Sequence, residues 1–191
     1  MFSTMPPHAK NRSKGDFLVK LHYMKKAIEA LNFIIPIIEK YKFQWLISGG
    51  FASLVYGVKR KLTDIDIDVN VSKNDLSFKK FMNDVQPYIT QKLKHATDEN
   101  YDSYNLEITY NGQVIDICPI EELKIFNKSS RKYEPFSFYK NSFPKVELIS
   151  FHGLTLPLLP KKLIIENKKM LTFQRLSDHA DIAGLENLIK K

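Results

Sequence analysis

Cysteine is nearly absent from this chain. Cys118 is the only one among 191 residues, which excludes an intramolecular disulfide and a cysteine zinc cluster and points to a reducing, cytoplasmic setting. Long apolar runs are missing too. The most apolar stretch, Leu31 to Ile38, is too short to span a bilayer and contains Pro36, so no membrane partner is expected. The amino-terminal MFSTMPPHAKNRSKGD lacks the apolar core of a secretion signal and reads as a flexible basic tail over residues 1–15. There is no internal repeat and no low-complexity tract. Acidic residues are the minority charge, 21 Asp+Glu against 29 Lys+Arg, for a formal net charge of +8. That balance suits an anionic partner such as a nucleotide, RNA or DNA, and equally suits plain solubility. No named RNA- or DNA-binding motif accompanies it.

What is present describes a soluble globular chain. The hydrophobic fraction of 43% and charged fraction of 26% are ordinary, and 191 residues bury a sizeable core. Apolar residues recur at helical spacing from Phe17 to about Leu31, and Pro36 is expected to kink the next turn or begin a new helix. Trp45 to Ile47 form a short buried strand ending at Ser48-Gly49-Gly50. Phe51 to Tyr56 read as a short helix closed by Gly57. Leu62 to Val71 alternate strictly, as a strand does. Asn74 to about Lys94 read as a helix capped by Ser72 or Asn74, with Phe78, Phe81, Met82 and Val85 on one face and Pro87 interrupting it. Asn111-Gly112, between alternating segments 103–110 and 113–118, marks a two-residue hairpin turn. Residues 121–141 carry no clear period. Val146 to Phe151 and Leu154 to Pro157 suit two more strands, and Lys161 to Lys191 hold two helical patterns separated near Thr172. The order implies an α+β fold with a mixed sheet.

One stretch stands apart: SGGFASLVYGVKRKLTDIDIDV, residues 48–69. Side chains two apart on a strand share a face at roughly 6.6–6.8 Å, so Asp64, Asp66 and Asp68 point one way and Ile65, Ile67 and Val69 the other. Like charges held so close call for compensation, and a hard cation such as Mg²⁺ supplies it through a few carboxylate oxygens. The plain alternative is a half-exposed strand with a polar outer face. A calcium loop does not fit, because Val69 stands where glycine is needed and Asp75 where the bidentate glutamate belongs. A glycine pair at a strand-to-helix junction lets backbone approach a phosphate, with Ser48 adding a hydroxyl. Taken alone, such a pair is more often a tight turn.

Gly49-Gly50-Phe51-Ala52, then Arg60, then Asp64-Ile65-Asp66 together resemble the DNA polymerase β-like nucleotidyltransferase superfamily. The nearest likeness is to its small bacterial members, some encoded in toxin–antitoxin and phage-defence loci. The end of the chain is similar as well, through Leu163, Ile164, Lys168, Arg175, Asp178 and Asp181, although Ser177 stands where a lysine is common. The resemblance covers about a third of the chain and leaves 121–150 unmatched. It implies a nucleotidyltransferase core over residues 16–157, a mixed β-sheet flanked by helices, and a short helical segment over 158–191. Asp64 and Asp66 would hold Mg²⁺ or Mn²⁺, and a third acidic residue would come from a neighbouring strand. Asp116 in QVIDICP is the candidate, standing out among apolar neighbours, with Glu107 the weaker substitute and a hydrogen-bonded edge residue the plain alternative. Asp68 lies beyond the usual pair, where it either supports the pair or faces solvent.

The implied reaction is transfer of a nucleoside monophosphate from a triphosphate, ATP foremost, to a hydroxyl of an RNA, protein or small-molecule acceptor. Ser48, Gly49 and Gly50 would hold the β- and γ-phosphates. Lys168 and Arg175 would reach the triphosphate or the acceptor, Arg175 through a bidentate fork; equally, Arg175 pairs with Asp178 or Asp181 inside its own helical hairpin. Two rivals belong to other classes: a non-catalytic, antitoxin-like partner-binding protein on the same fold, and a basic nucleic-acid-binding module.

Overall fold

The computed structural model describes residues 8–190, and their side chains from Tyr23 onward. Residues 1–7 of the expected basic tail lie outside the described residues, and residues 8–15 belong to the first helix. That helix, α1 (His8–Lys40), places Ala27, Ala30, Leu31, Ile34, Ile35 and Ile38 in the core at three- and four-residue spacing. Pro36 does not start a new helix; it sits inside α1. The fully buried Ile34 and Ile38 on either side hold the turn against the sheet, which offsets the donor that proline removes.

The strands are β1 (Trp45–Ile47), β2 (Asp64–Val69), β3 (Ile89–Thr97), β4 (Tyr101–Tyr110) and β5 (Gln113–Pro119), followed by β6 (Lys124–Asn127), β7 (Lys132–Pro135), β8 (Glu147–Phe151) and β9 (Leu154–Leu158). They form one mixed sheet in the order β7-β6-β4-β5-β2-β1-β9-β8, with β3 added against β4. Two pairings are parallel, β2 with β5 and β1 with β9, and the rest are antiparallel. The remaining helices are α2 (Gly49–Val55), α3 (Leu76–Asp84), α4 (Ser137–Lys140), α5 (Lys161–Met170) and α6 (Leu176–Ile189). The α+β class and the mixed sheet flanked by helices match the expectation. The Asn111-Gly112 hairpin does too: both residues have positive φ, 49° and 75°, as a primed two-residue turn demands. His152-Gly153 repeats the device between β8 and β9, at 49° and 85°.

The helix expected over 74–94 is the main correction. It ends at Asp84, Pro87 falls in a 3₁₀ turn (Gln86–Tyr88), and β3 begins at Ile89. Its cap is Asp75, which accepts from the Ser77 amide at 2.7 Å, and not Ser72 or Asn74. Only Ile89 and Leu93 of β3 are even partly buried, so this outer strand has no alternation to betray it. The segment 121–141, without a period in sequence, holds the hairpin of β6 and β7 and the single turn of α4.

Candidate active site

Alternation along β2 does what its sequence implies. Ile65, Ile67 and Val69 are buried in the core, and the three aspartates face the other way. The parallel register sets Asp66 beside Asp116, and the antiparallel neighbour sets Glu107 beside Asp116. Carboxylate oxygens of Asp64, Asp66 and Asp116 lie within 4.8 Å of one another, a group able to hold a metal ion. Glu107, next in the row, turns aside to accept a hydrogen bond from the Thr90 hydroxyl at 2.6 Å.

The electrostatics follow from that crowding. Withdrawal from water and then the charge of Asp64 raise Asp66 to about 6. The same desolvation, with the charges of Asp66, Asp64 and Glu107, raises Asp116 to about 7. Among the described residues no cationic side chain stands within ion-pair distance of Asp64, Asp66, Asp68 or Asp116; Lys168 and Arg175 pull Asp66 down only from farther off. The donor set, three clustered carboxylates and no bound cation from the protein, fits a hard divalent ion such as Mg²⁺.

The glycine turn closes over this group. The Ser48 amide donates to the Asp66 carbonyl at 3.1 Å, and the Gly50 amide faces the Asp66 carboxylate and favours its charge. Gly49 has φ +60°, and a Cβ there would fall 1.9 Å from Asp66 Oδ2. Any side chain at 49 would therefore push Asp66 out of place, besides straining the backbone. A Cβ at Gly50 would meet the Arg60 guanidinium at 2.2 Å. Ser48 itself is buried, with its hydroxyl beside Asp68 and Tyr139.

A second acidic pair lies across the cleft, and it is compensated. Lys168, 4% exposed, places Nζ 2.6 Å from Asp178 Oδ1 and 3.1 Å from Asp181 Oδ2. Arg60 Nη1 reaches Asp181 Oδ2 at 2.5 Å. The Arg175 backbone amide and Nε meet Asp178 Oδ2 at 2.9 and 3.2 Å. Burial penalises the Asp178 charge, yet Lys168 and the Arg175 groups outweigh it and bring its pKa to about 2. Both readings of Arg175 thus find a footing: it pairs with Asp178 at i,i+3, and its side chain is still 71% exposed at the cleft.

These two walls enclose a cavity of about 250 Å³ lined by Ser48, Gly49, Gly50, Asp64, Asp66 and Asp116 on one side and by Lys168, Arg175 and Asp178 on the other. Every site residue expected from sequence borders it. Sequence reasoning named Asp68 without a settled role and missed Tyr101, Tyr139 and Asn167, which line the cavity with it. Asp68 is 6% exposed, so it does not stand in solvent. Burial raises it to about 7 against the opposing hydrogen bond from Ser48. Tyr139 comes from the stretch that has no period, which left no signal for it.

Compared by sequence, the chain matches no family model and no curated protein. Compared by structure, it is similar to a Thermotoga maritima protein assigned as a nucleotidyltransferase, at TM-score 0.61 and 16% identity over 87% of this chain and 92% of that one. It is also similar to ANT(2'')-Ia in complex with adenylyl-2''-tobramycin, at TM-score 0.55 and 13% identity over 85% and 89%. A nucleotidyltransferase-like antigenic protein of Paracoccidioides brasiliensis follows at TM-score 0.52 and 11% identity, over 86% and 77%. The fold of this chain is therefore the nucleotidyltransferase fold.

Proposed function

We propose that the chain is a divalent-metal-dependent nucleotidyltransferase. It transfers a nucleoside monophosphate from a nucleoside triphosphate, ATP foremost, to a hydroxyl of an RNA, protein or small-molecule acceptor. The observation that carries the reading is the convergence of Asp64, Asp66 and Asp116 from two adjacent strands, within 4.8 Å and with no cationic side chain at ion-pair distance among the described residues, beneath a glycine turn. Asp64, Asp66 and Asp116 would hold Mg²⁺ or Mn²⁺. When bound, such ions stabilise negative charge on the attacking and leaving oxygens of phosphoryl transfer.

The chain's own residues supply the rest. Asp116, at the edge of the cluster facing the cavity, would take the proton of the acceptor hydroxyl as that oxygen attacks the α-phosphorus and pyrophosphate leaves. Gly49 and Gly50 carry no side chain to keep phosphates from the backbone, and Ser48 fixes the turn. Arg175, mostly exposed beside the carboxylates, offers its guanidinium to the triphosphate. Lys168 adds positive charge from the same wall while holding Asp178 and Asp181. A neighbour of the same fold captured with adenylyl-2''-tobramycin supports adenylyl transfer as the reaction type.

Thermal unfolding tests this reading. Metal and triphosphate each neutralise the other's charge, so ATP with Mg²⁺ is expected to raise the melting temperature by more than the separate shifts combined. An additive or absent shift with all four common triphosphates contradicts the reading.

A further inference from the structure

Asp68 has no place in the chemistry above. It sits two residues along β2 from Asp66 and is paired in register with Cys118 and Leu46. It is not one of the carboxylates whose oxygens converge, so a metal held by Asp64, Asp66 and Asp116 leaves it out. Its side chain is more than nine-tenths buried, yet Oδ2 has no hydrogen-bond partner, and the residue lines the cavity. A buried carboxylate oxygen without a partner is costly, and native structures seldom keep one without a use.

The surroundings say what would satisfy it. Ser48 stands beside the carboxylate without reaching Oδ2, and the Tyr101 hydroxyl both accepts from the Asn167 amide at 3.1 Å and donates to Asn167 Oδ1 at 3.4 Å. The cations that line the cavity are committed elsewhere: Lys168 to Asp178 and Asp181, Arg60 to Asp181, Arg175 to Asp178. Ser103 and Asn105 bond each other at 3.0 Å. Among the described residues none brings an N–H donor or positive charge to Asp68 Oδ2. The ionised carboxylate would repel a second carboxylate, a phosphate or a carbonyl, and an apolar group would leave Oδ2 unsatisfied. A group presenting N–H hydrogens meets both its charge and its open acceptor site.

We propose that Asp68 anchors a second subsite of the cleft, one that takes an amino group of the substrate. This rests on the nucleotidyltransferase reading for its setting, because the amino group comes either from the base of the nucleotide or from the acceptor. Both sources present the same chemistry to the carboxylate, and they are separable by ligand.

Binding is compared in two arms, by titration calorimetry or thermal shift, in the wild type and in Asp68→Asn and Asp68→Leu. The first arm sets ATP against ITP and CTP against UTP, each with Mg²⁺, since each pair exchanges an exocyclic amino group for a carbonyl. The second sets glucosamine, small enough for the cavity, against glucose, with no nucleotide present. In the wild type the amino-bearing member of one arm is expected to bind at least about tenfold more tightly, as befits a hydrogen bond to a charged group. Preference in the first arm assigns the amino group to the base, and preference in the second assigns it to the acceptor. Asp68→Asn, which keeps shape and one acceptor but loses charge, should shrink the preference, and Asp68→Leu should abolish it. Absence of any preference in the wild type overturns the inference, whether or not the variants fold, and so does a preference that survives in both variants. Failure of the underlying reading looks different: Mg²⁺ and ATP then show no synergy in the wild type, while the glucosamine arm still reports on Asp68.

Discussion

Two groups of aspartates face each other across one cleft, and the protein treats them in opposite ways. Asp178 and Asp181 are buried and their charges are met by Lys168, Arg60 and Arg175, although Asp181 Oδ1 keeps no hydrogen-bond partner; the carboxyl of Asp178 is held far down, near 2. Asp64, Asp66 and Asp116 are crowded within 4.8 Å with no cationic side chain at ion-pair distance among the described residues, and Asp66 and Asp116 rise to about 6 and 7. Burial is common to both groups; compensation separates them. A paired cluster spends its charge on the scaffold, whereas an unpaired one keeps its charge available for something that arrives from outside.

The largest expected effect comes from breaking the unpaired group. Asp66→Asn keeps shape and removes a ligand, and it should lower the transfer rate by about 10³-fold or more. Stability of the metal-free protein should hold or rise, since repulsion with Asp64 and Asp116 is relieved. Single-turnover assays and urea unfolding read the two quantities separately. A variant that loses stability instead would move Asp66 from the site to the scaffold.

Breaking the paired group should do the reverse. Lys168→Met leaves Asp178 and Asp181 buried with their shared cation gone, and removal of one partner from a buried ion pair costs about 3–5 kcal/mol. Urea unfolding should show a loss of that order. A loss below about 1 kcal/mol would mean that Arg60 and Arg175 carry the pairing without Lys168.

The contrast has a pH signature. Carboxyls raised in the folded state bind more protons there than in the unfolded chain, so Asp66, Asp68 and Asp116 make the metal-free protein less stable as pH rises through about 6–7. Asp178, lowered to about 2, works in the other window. Its contribution is whole above pH about 4, its unfolded range, and fades as pH falls toward 2. Melting curves of the metal-free wild type should therefore decline on both sides. Asp66→Asn should flatten the upper limb and leave the lower one unchanged.

The smallest effect belongs to Arg175, which has a foot in each group. The Arg175 side chain is mostly exposed, and Asp178 keeps Lys168 and the Arg175 backbone amide without it, so Arg175→Ala should cost no more than about 1 kcal/mol. The KM for triphosphate should rise severalfold and its salt dependence should soften, because a screened charge has gone. An unchanged KM, with a sizeable coupling energy to Asp178 in a double-mutant cycle, would place Arg175 wholly in the scaffold.

How far the sequence foretold this arrangement depended on whether each signal was local. The alternation of β2 and β5 and the Asn111-Gly112 turn are written in neighbouring residues, and the resemblance carried by Gly49-Gly50 and Asp64-Ile65-Asp66 singled out Asp64, Asp66 and Asp116 before their register was known. That Asp66 lies beside Asp116, across parallel strands about fifty residues apart, is a fact of long-range pairing. β3 escaped because both its faces are largely in water, and β6 and β7 because four-residue strands are too short to show a period. Asp68 shows the limit most plainly. Alternation fixes which face it shares with Asp66, but Leu123 and Tyr139, which help roof that end of the face, come from the unreadable stretch.

The account stands most directly on where a divalent ion binds. Mn²⁺ binding in the presence of ATP, followed through the loss of the free-ion signal in electron paramagnetic resonance, separates the two groups in one experiment. The wild type and Asp178→Asn, measured below its melting temperature, should both take up Mn²⁺, while Asp66→Asn and Asp116→Asn should bind it at least about tenfold more weakly. Uptake that survives in Asp66→Asn and Asp116→Asn, or is lost in Asp178→Asn alone, would contradict the claim that the uncompensated carboxylates form the site.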